Sequence, residues 1–251
     1  MKKPDNTAFE QEQYDLAYPD GIENHFWNLS RNNIILRKLK NKKQSKILDI
    51  GCGRGITVEY LRNEGFDCYG CDISSGKAIS KNISQYLSFK QDAFDLDIDL
   101  RKSIDTILLL DVVEHLEDVE TFINKLLHSF HNLSYLIITV PARQELWSNY
   151  DVFYGHYLRY NNNTLKSQLI KCDLSITKTS YFFKALYLPS LLLMILKKKR
   201  SLIINAPKTM FQIIAHKALA MFFFLEEWIL PNKLIGTSLL AEIVINNNKE
   251  N

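Results

Sequence analysis

An acidic residue followed by three alternating glycines is the densest chemical feature of this chain. The apolar run Ile47, Leu48, Asp49, Ile50 ends in Gly51-x-Gly53-x-Gly55, and a helix-period segment begins at once with Ile56. A strand that stops in a glycine turn leaves backbone N–H groups free at the mouth of the next helix. Glycine permits the positive φ and the close ligand approach that such a turn needs. In an open α/β sheet, that mouth is where small ligands bind. The register then selects among ligands. A dinucleotide fingerprint reads G-x-G-x-x-G, and the position of its third glycine is Ile56 here. Asp49 would repel a phosphate and suits a cationic ligand, such as an amino-acid ammonium beside a sulfonium. Taken alone, the triplet is equally a tight strand-to-helix turn.

Further carboxylates sit at the ends of later strand-like runs. Phe66 to Asp72 alternates and stops at Asp72, followed by Ile73. Such a carboxylate at the end of a second strand accepts hydrogen bonds from ribose hydroxyls. Leu87 to Asp92 reads as a third strand. Asp105 to Asp111 is a continuous apolar strand that runs into the acidic turn Val112, Val113, Glu114, His115, and Ser134 to Pro141 is a fifth run. Helix-period segments alternate with these five runs, the pattern of a parallel sheet.

These residues resemble the class I S-adenosylmethionine-dependent methyltransferases, over Glu23 to Tyr160 and more thinly to Ile245. The resemblance implies that Asp49, Gly51, Cys52, Gly53 and Gly55 form the cofactor turn and that Asp72 and Ile73 meet the ribose end. It implies that Asp92 and Ala93 meet the adenine, and that the backbone at Leu110 faces the methionine ammonium. The stretch Asp111 to His115, with His25, Trp27 and Arg31 upstream and Trp147, His156, Arg159 and Tyr160 downstream, resembles a branch acting on small or lipid-linked molecules. His25 and Trp27 are expected to close the cofactor pocket and Arg31 to pair with the cofactor carboxylate; a buried tryptophan and a surface arginine would explain them equally well.

The elements that must position these groups follow from the same pattern. The expected fold is α/β: a Rossmann-like doubly wound sheet of seven strands, mostly parallel, whose last strand the family makes antiparallel. Residues 1–22 are expected to be loose, 23–184 to form the methyltransferase core, 185–237 a helical insertion between the last two strands, and 238–251 a final strand and polar tail. Helices are expected over Glu23 to Leu39, Ile56 to Glu64, Gly76 to Tyr86 and Leu116 to Phe130, and from a cap at Asn163 to Cys172. The link from Ala142 to Asn163 is long enough to suggest function, as a roof over the reacting methyl group.

The insertion is unusual. A run of twelve residues from Ala185 to Leu196, mostly apolar, precedes Lys197, Lys198, Lys199 and Arg200, and a second, aromatic-rich run follows from Met210 to Leu230. The first is too short to span a bilayer, and the second carries His216, Lys217, Glu226 and Glu227. Apolar sequence with a basic flank fits an interfacial helix; a cap on the sheet or a face for a second subunit fits as well.

Composition narrows the rest. The chain has 251 residues, a formal charge of +3 and four cysteines. The small charge points away from nucleic acid. Cys68 and Cys71 have redox or zinc spacing but no second pair completes a site, so packing is expected. Free cysteines and a polar, acidic start without a signal peptide place the chain in the cytoplasm, with membrane association on the cytoplasmic face open. The scattered carboxylates form no metal constellation, so no metal is expected. Methyl transfer needs a base only when the acceptor carries a proton, and the candidates are His156 and His115, each with a purely structural alternative. The reading is O-methylation of a small-molecule or lipid-linked acceptor with S-adenosyl-L-methionine as cofactor. A non-catalytic cofactor-binding scaffold at a membrane, or a nicotinamide-dependent oxidoreductase, are the alternatives.

Overall fold

The computed structural model describes residues 10–231 and 234–245. A single sheet organises it. Strands β1 (Lys46–Ile50), β2 (Asp67–Asp72), β3 (Leu87–Phe89), β4 (Thr106–Leu110), β5 (Tyr135–Pro141), β6 (Lys178–Phe182) and β7 (Ser238–Val244) pair in the order β3-β2-β1-β4-β5-β7-β6. All neighbours are parallel except that β7 runs antiparallel to both β5 and β6. The expected seven-stranded doubly wound fold is therefore present, with its insertion between β6 and β7. The helices are α1 (Gln11–Ala17), α2 (Phe26–Leu39), α3 (Ile56–Asn63), α4 (Ile98–Ser103), α5 (Val119–Ser129), α6 (Asn149–Tyr154), α7 (Asn162–Leu169), α8 (Tyr187–Ile195) and α9 (Met210–Ile229).

The central strands read as apolar runs because both faces are covered. In β4, Ile107 and Leu109 enter one core with Ile123, Leu126 and Phe130 of the α5 region. Leu108 and Leu110 enter the other, with Ile34 and Ile35 of α2, Leu61 of α3 and Phe223 of α9. Alternate side chains thus feed two helical layers. All four cysteines are free and buried.

Three expectations change. Part of the segment expected to be loose is helix α1, with Tyr14 buried and its ring 4.8 Å from that of Tyr18. Two aromatics four residues apart share a helix face, and burying them outweighs the polar average of the segment. The rest of that segment, 1–9, and the polar tail from 246 on lie outside the described residues. Second, Gly76 to Tyr86 is not a helix; it holds only a 3-10 turn over Lys81–Tyr86. The Ile79 N–H donates to the Arg54 carbonyl and the Gly76 N–H to Ser74, so the chain spends these donors away from helix bonds. Third, Asn161, not Asn163, caps α7, its side chain accepting from the Thr164 N–H at 2.9 Å.

His25 and Trp27, expected to close a cofactor pocket, make ring contacts with α9 and with the residue after β6. The His25 ring accepts the Trp27 N–H at the start of α2 and lies 4.9 Å from the His216 ring of α9, while Trp27 stacks on Phe183 at 4.1 Å. Both belong to the seam between α2 and the insertion. Burial, with His216 nearby, lowers the His25 pKa to about 4. The unfolded chain takes up this proton near the ordinary value of 6.5, so stability falls as pH drops from there toward 4. His25→Asn keeps a capping acceptor and removes the titration. The expected outcome is a flatter profile of melting temperature against pH over this window.

Candidate functional site

The crevice lies where the strand order reverses, at the carboxyl ends of β1 and β4. Gly51, Gly53 and Gly55 have φ of 74°, 55° and 78°, left-handed values that explain the glycine spacing. The Gly51 and Cys52 N–H groups donate to the Cys71 carbonyl at 2.8 and 3.1 Å, which stitches the turn to β2. The Asp72 carboxylate accepts the Gly53 N–H at 2.8 Å and the Ser74 N–H at 2.7 Å. A donor that a dinucleotide pyrophosphate would need is thus committed to a carboxylate, and buried Ile56 stands where its third glycine should be.

Negative charge is in surplus here. Asp49 is buried with one oxygen unpartnered. Burial, opposed by Arg31 and reinforced by Asp72 and Asp111, pushes its carboxyl up to about 7. Burial also raises Asp72, against the two backbone N–H groups that it accepts. Arg31 reaches from α2 to Asp111, Nη1 to Oδ2, at 2.6 Å. Arg31 was expected to meet a cofactor carboxylate; its first partner is Asp111, although its buried Nε keeps no partner. Asp111 takes φ 59°, a left-handed conformation that aspartate tolerates. Its second oxygen accepts the Thr139 hydroxyl at 3.2 Å. Asp49 and Asp111 beside one guanidinium, with Asp72 close to Asp49, suit a ligand that brings an ammonium and a sulfonium.

The remaining expected cofactor residues line the same edge. Ile73 is exposed just past Asp72, and Leu110 ends β4 beside Asp111. Asp92 caps the turn beyond β3 through the Phe94 N–H at 3.0 Å, with Ala93 buried behind it. Cys52 packs on β2: a Cβ on Gly70 would come within 2.8 Å of its sulfur. Tyr14 and Tyr18 of the α1 region were missed by the sequence reading. A Cβ on Gly53 would lie 2.2 Å from the Tyr18 ring, and one on Gly76 would lie 2.4 Å from the Tyr14 hydroxyl. Burial and the nearby Asp72 raise the Tyr14 pKa to about 12 and push Tyr18 up as well. Their spacing of four residues was the available signal.

The roof forms a second cluster. Asp151 of α6 accepts Arg159 Nε at 2.7 Å and Nη2 at 3.1 Å, and His156 Nδ1 lies 2.9 Å away. Burial alone would raise Asp151; His156 and Arg159 overcome it and hold the carboxyl well below its ordinary range. His156 therefore has Nδ1 directed at a fixed anion, which leaves Nε2 for other chemistry. The Tyr157 N–H donates to the Glu114 carbonyl at 2.8 Å and ties this roof to the turn after β4. Expected as two separate candidates, His115 and His156 lie together, ring centroids 4.8 Å apart.

Glu114 is buried in a 3-10 turn, with Oε2 unpartnered. Burial and Asp111 push its carboxyl well above the ordinary range, against Arg31 and Arg159. The expectation of no metal-ligand constellation also needs correction. Ligand atoms of Glu114, His115 and His156 all lie within 4.8 Å of one another, side-chain types that suit a divalent cation. The sequence separation from 115 to 156 hid the cluster. The burial that raises the Glu114 carboxyl favours its protonated form, which competes with a cation there.

A family model described as a methyltransferase domain matches residues 26–179, more than half of the chain. This chain belongs to that methyltransferase family. The matched region runs from the start of α2 into β6 and omits the insertion. Among curated relatives, the ubiquinone biosynthesis O-methyltransferase of Azorhizobium caulinodans is 32% identical over 94 residues, 36% of this chain and 37% of that protein. The (S)-tetrahydroprotoberberine N-methyltransferase of Eschscholzia californica is 29% identical over 93 residues, 34% and 26% of the two chains. These matches span between about a quarter and somewhat over a third of the relatives' length. The magnesium protoporphyrin IX methyltransferase of Synechocystis PCC 6803, solved with SAH bound, shares the fold. Its TM-score is 0.53 at 18% identity, over 94% of this chain and 93% of that one.

The methyltransferase's Asp49 gives a signed expectation. Its folded pKa of about 7 exceeds the ordinary 3.8. The proton is held more tightly in the folded state, so the residue's contribution to stability declines between about pH 4 and 7 and is lowest above that. Asp49→Asn removes this penalty. Scanning calorimetry should show stabilisation on the order of 4 kcal/mol at pH 8 and little change at pH 4.

Proposed function

We propose that this methyltransferase uses S-adenosyl-L-methionine and O-methylates a small-molecule or lipid-linked acceptor. The observation that carries the reading is the set Asp49, Asp72 and Asp111 around Arg31 at the glycine turn, an anionic crevice in a fold of this family. The residues fit that cofactor. Asp72 keeps lone pairs for ribose hydroxyls beyond its two backbone bonds. The unpartnered oxygen of Asp49 and the backbone at Leu110 face the need of an ammonium, and Arg31 Nε that of a carboxylate. When bound, the cofactor supplies an electrophilic methyl group. The chain aligns the acceptor and keeps the crevice dry, with Tyr18 covering the glycine turn at Gly53 and Tyr14 the loop at Gly76. His156 Nε2 takes the proton of an acceptor hydroxyl, and Asp151 stabilises the resulting imidazolium through Nδ1. His115 beside it helps to shape the acceptor site.

An oxidoreductase reading is disfavoured by the commitment of Gly53 N–H to Asp72. The free thiols fit a cytoplasmic setting. We infer in addition that residues 185–230 contact a membrane surface, which suits a lipid-linked acceptor; the apolar side chains that α8 and α9 expose support this. Among the described residues, no helix is long and apolar enough to cross a membrane.

Calorimetric titration with S-adenosylhomocysteine tests the cofactor. The wild-type chain is expected to bind and Asp72→Asn to bind roughly 10- to 100-fold more weakly, the loss of charge-assisted bonds. Absence of wild-type binding would overturn the reading. A labelled-methyl assay on fractionated extract tests the base. His156→Gln should lower turnover roughly 10²- to 10⁴-fold while leaving cofactor affinity unchanged.

A further inference from the structure

Helix α9 is arranged inside out. Its two carboxylates face inward: Glu226 is 4% exposed and the Glu227 side chain 3% exposed. Glu226 accepts the Lys184 and Ala185 N–H groups, and Glu227 pairs with Arg37 of α2. The outer face carries the apolar groups, with Phe211 81%, Ile229 74% and Trp228 67% exposed. Helix α8 has no buried residue, and Leu188 and Ile195 stand far into solvent. Soluble monomers rarely expose so much contiguous apolar surface without a use for it.

Charge says what covers this surface. Residues 185–231 contain five lysines, Lys197, Lys198, Lys199, Lys208 and Lys217, and the two inward carboxylates are their only acids. All five lysines are exposed. The face offered outward is thus apolar and cationic, with no exposed acid. A second copy of the chain would set lysines against lysines across a two-fold interface, which costs energy. An anionic bilayer satisfies both features: apolar side chains enter the headgroup boundary and lysines meet lipid phosphates. Helix α8 ends in Lys197 at φ 52°, so the chain turns sharply there into the exposed Lys198 and Lys199.

The same segment joins both walls of the crevice mouth. The Arg200 N–H donates to Asn149 Oδ1 at 2.8 Å, and the Arg200 guanidinium lies over Tyr150 at 4.8 Å. Tyr150 in turn is 6.4 Å from His156, ring to ring. On the opposite wall, the Pro207 carbonyl packs against Gly21, just past α1 and Tyr18. We propose that α8, α9 and the lysines between them form a docking surface for an anionic lipid bilayer, lying in its interface, and that docking places the roof at the lipid so that an amphiphilic acceptor enters from the membrane. The acceptor half rests on the methyltransferase reading; the docking half does not.

Flotation of the full chain tests it, with vesicles of phosphatidylcholine alone and of phosphatidylcholine mixed with phosphatidylglycerol. The wild type is expected to float with the mixed vesicles, with a blue shift of Trp228 emission that Trp228→Phe removes. Replacing Lys197, Lys198 and Lys199 together by Gln should weaken mixed-vesicle binding about 100-fold, from about 1 kcal/mol per lysine. Phe211→Ser with Ile229→Ser should abolish it. S-adenosylhomocysteine titration of the same variants is expected to match wild type, which separates docking from folding and from cofactor binding. A wild-type chain that binds the cofactor but floats with neither vesicle overturns the proposal and leaves the methyltransferase reading standing. So does concentration-dependent dimerisation that buries Trp228 in the absence of vesicle binding.

Discussion

Burying several carboxylates beside one arginine is the constraint on which the rest of this molecule turns. Asp49, Asp72 and Asp111 come from the ends of three different strands, and Arg31 offsets Asp49 and Asp111. Such an arrangement costs desolvation energy unless each oxygen finds a donor. Asp72 finds two backbone N–H groups, and one of them, from Gly53, exists at that place only because the turn is made of left-handed glycines. Asp111 finds Arg31 and Thr139. Asp49 finds no partner for one oxygen, and its raised pKa records the deficit. The fold thus holds a site whose electrostatics are incomplete without a cation.

The roof uses the opposite strategy. Asp151 is as buried as Asp49, yet three cationic or N–H groups converge on it, and its carboxyl stays ionised. That fixed anion orients His156. Below it, burial pushes the Glu114 carboxyl well above its ordinary range. Two carboxyl groups on neighbouring loops are thus driven in opposite directions by their surroundings. The Tyr157–Glu114 backbone bond keeps the two loops in register.

The insertion extends the theme of misplaced polarity outward. Its acids serve as internal anchors, at the N–H groups after β6 and at Arg37, and its hydrophobic residues are left at the surface. Arg200 meets Asn149 and Tyr150 of α6 and Pro207 meets Gly21 just beyond α1, so the segment between α8 and α9 touches both regions.

Local chemistry made the sheet and its cofactor edge legible in the amino-acid sequence. Gly51, Gly53 and Gly55, the aspartates at strand ends and the apolar runs all act through backbone conformation or near neighbours, so spacing alone revealed them. Through-space effects were hidden. Nothing in the run from Met210 to Leu230 tells which side of the helix water sees; the N–H groups after β6 turned Glu226 inward, and Arg37 of α2 turned Glu227. Gly76 to Tyr86 had helical periodicity, but its donors were claimed by Arg54 and Ser74 from other elements. The pairing of His115 with His156, the capture of Arg31 by Asp111 and the cover of Tyr18 over Gly53 likewise required distant segments to meet. Residue order by itself determined the fold and the run of glycines and aspartates along one edge of the sheet, because both follow from short-range geometry. Tertiary structure alone decided the protonation of the carboxyl groups and the outward face of the insertion, because burial and Coulomb energy depend on neighbours that the chain brings from far along its length.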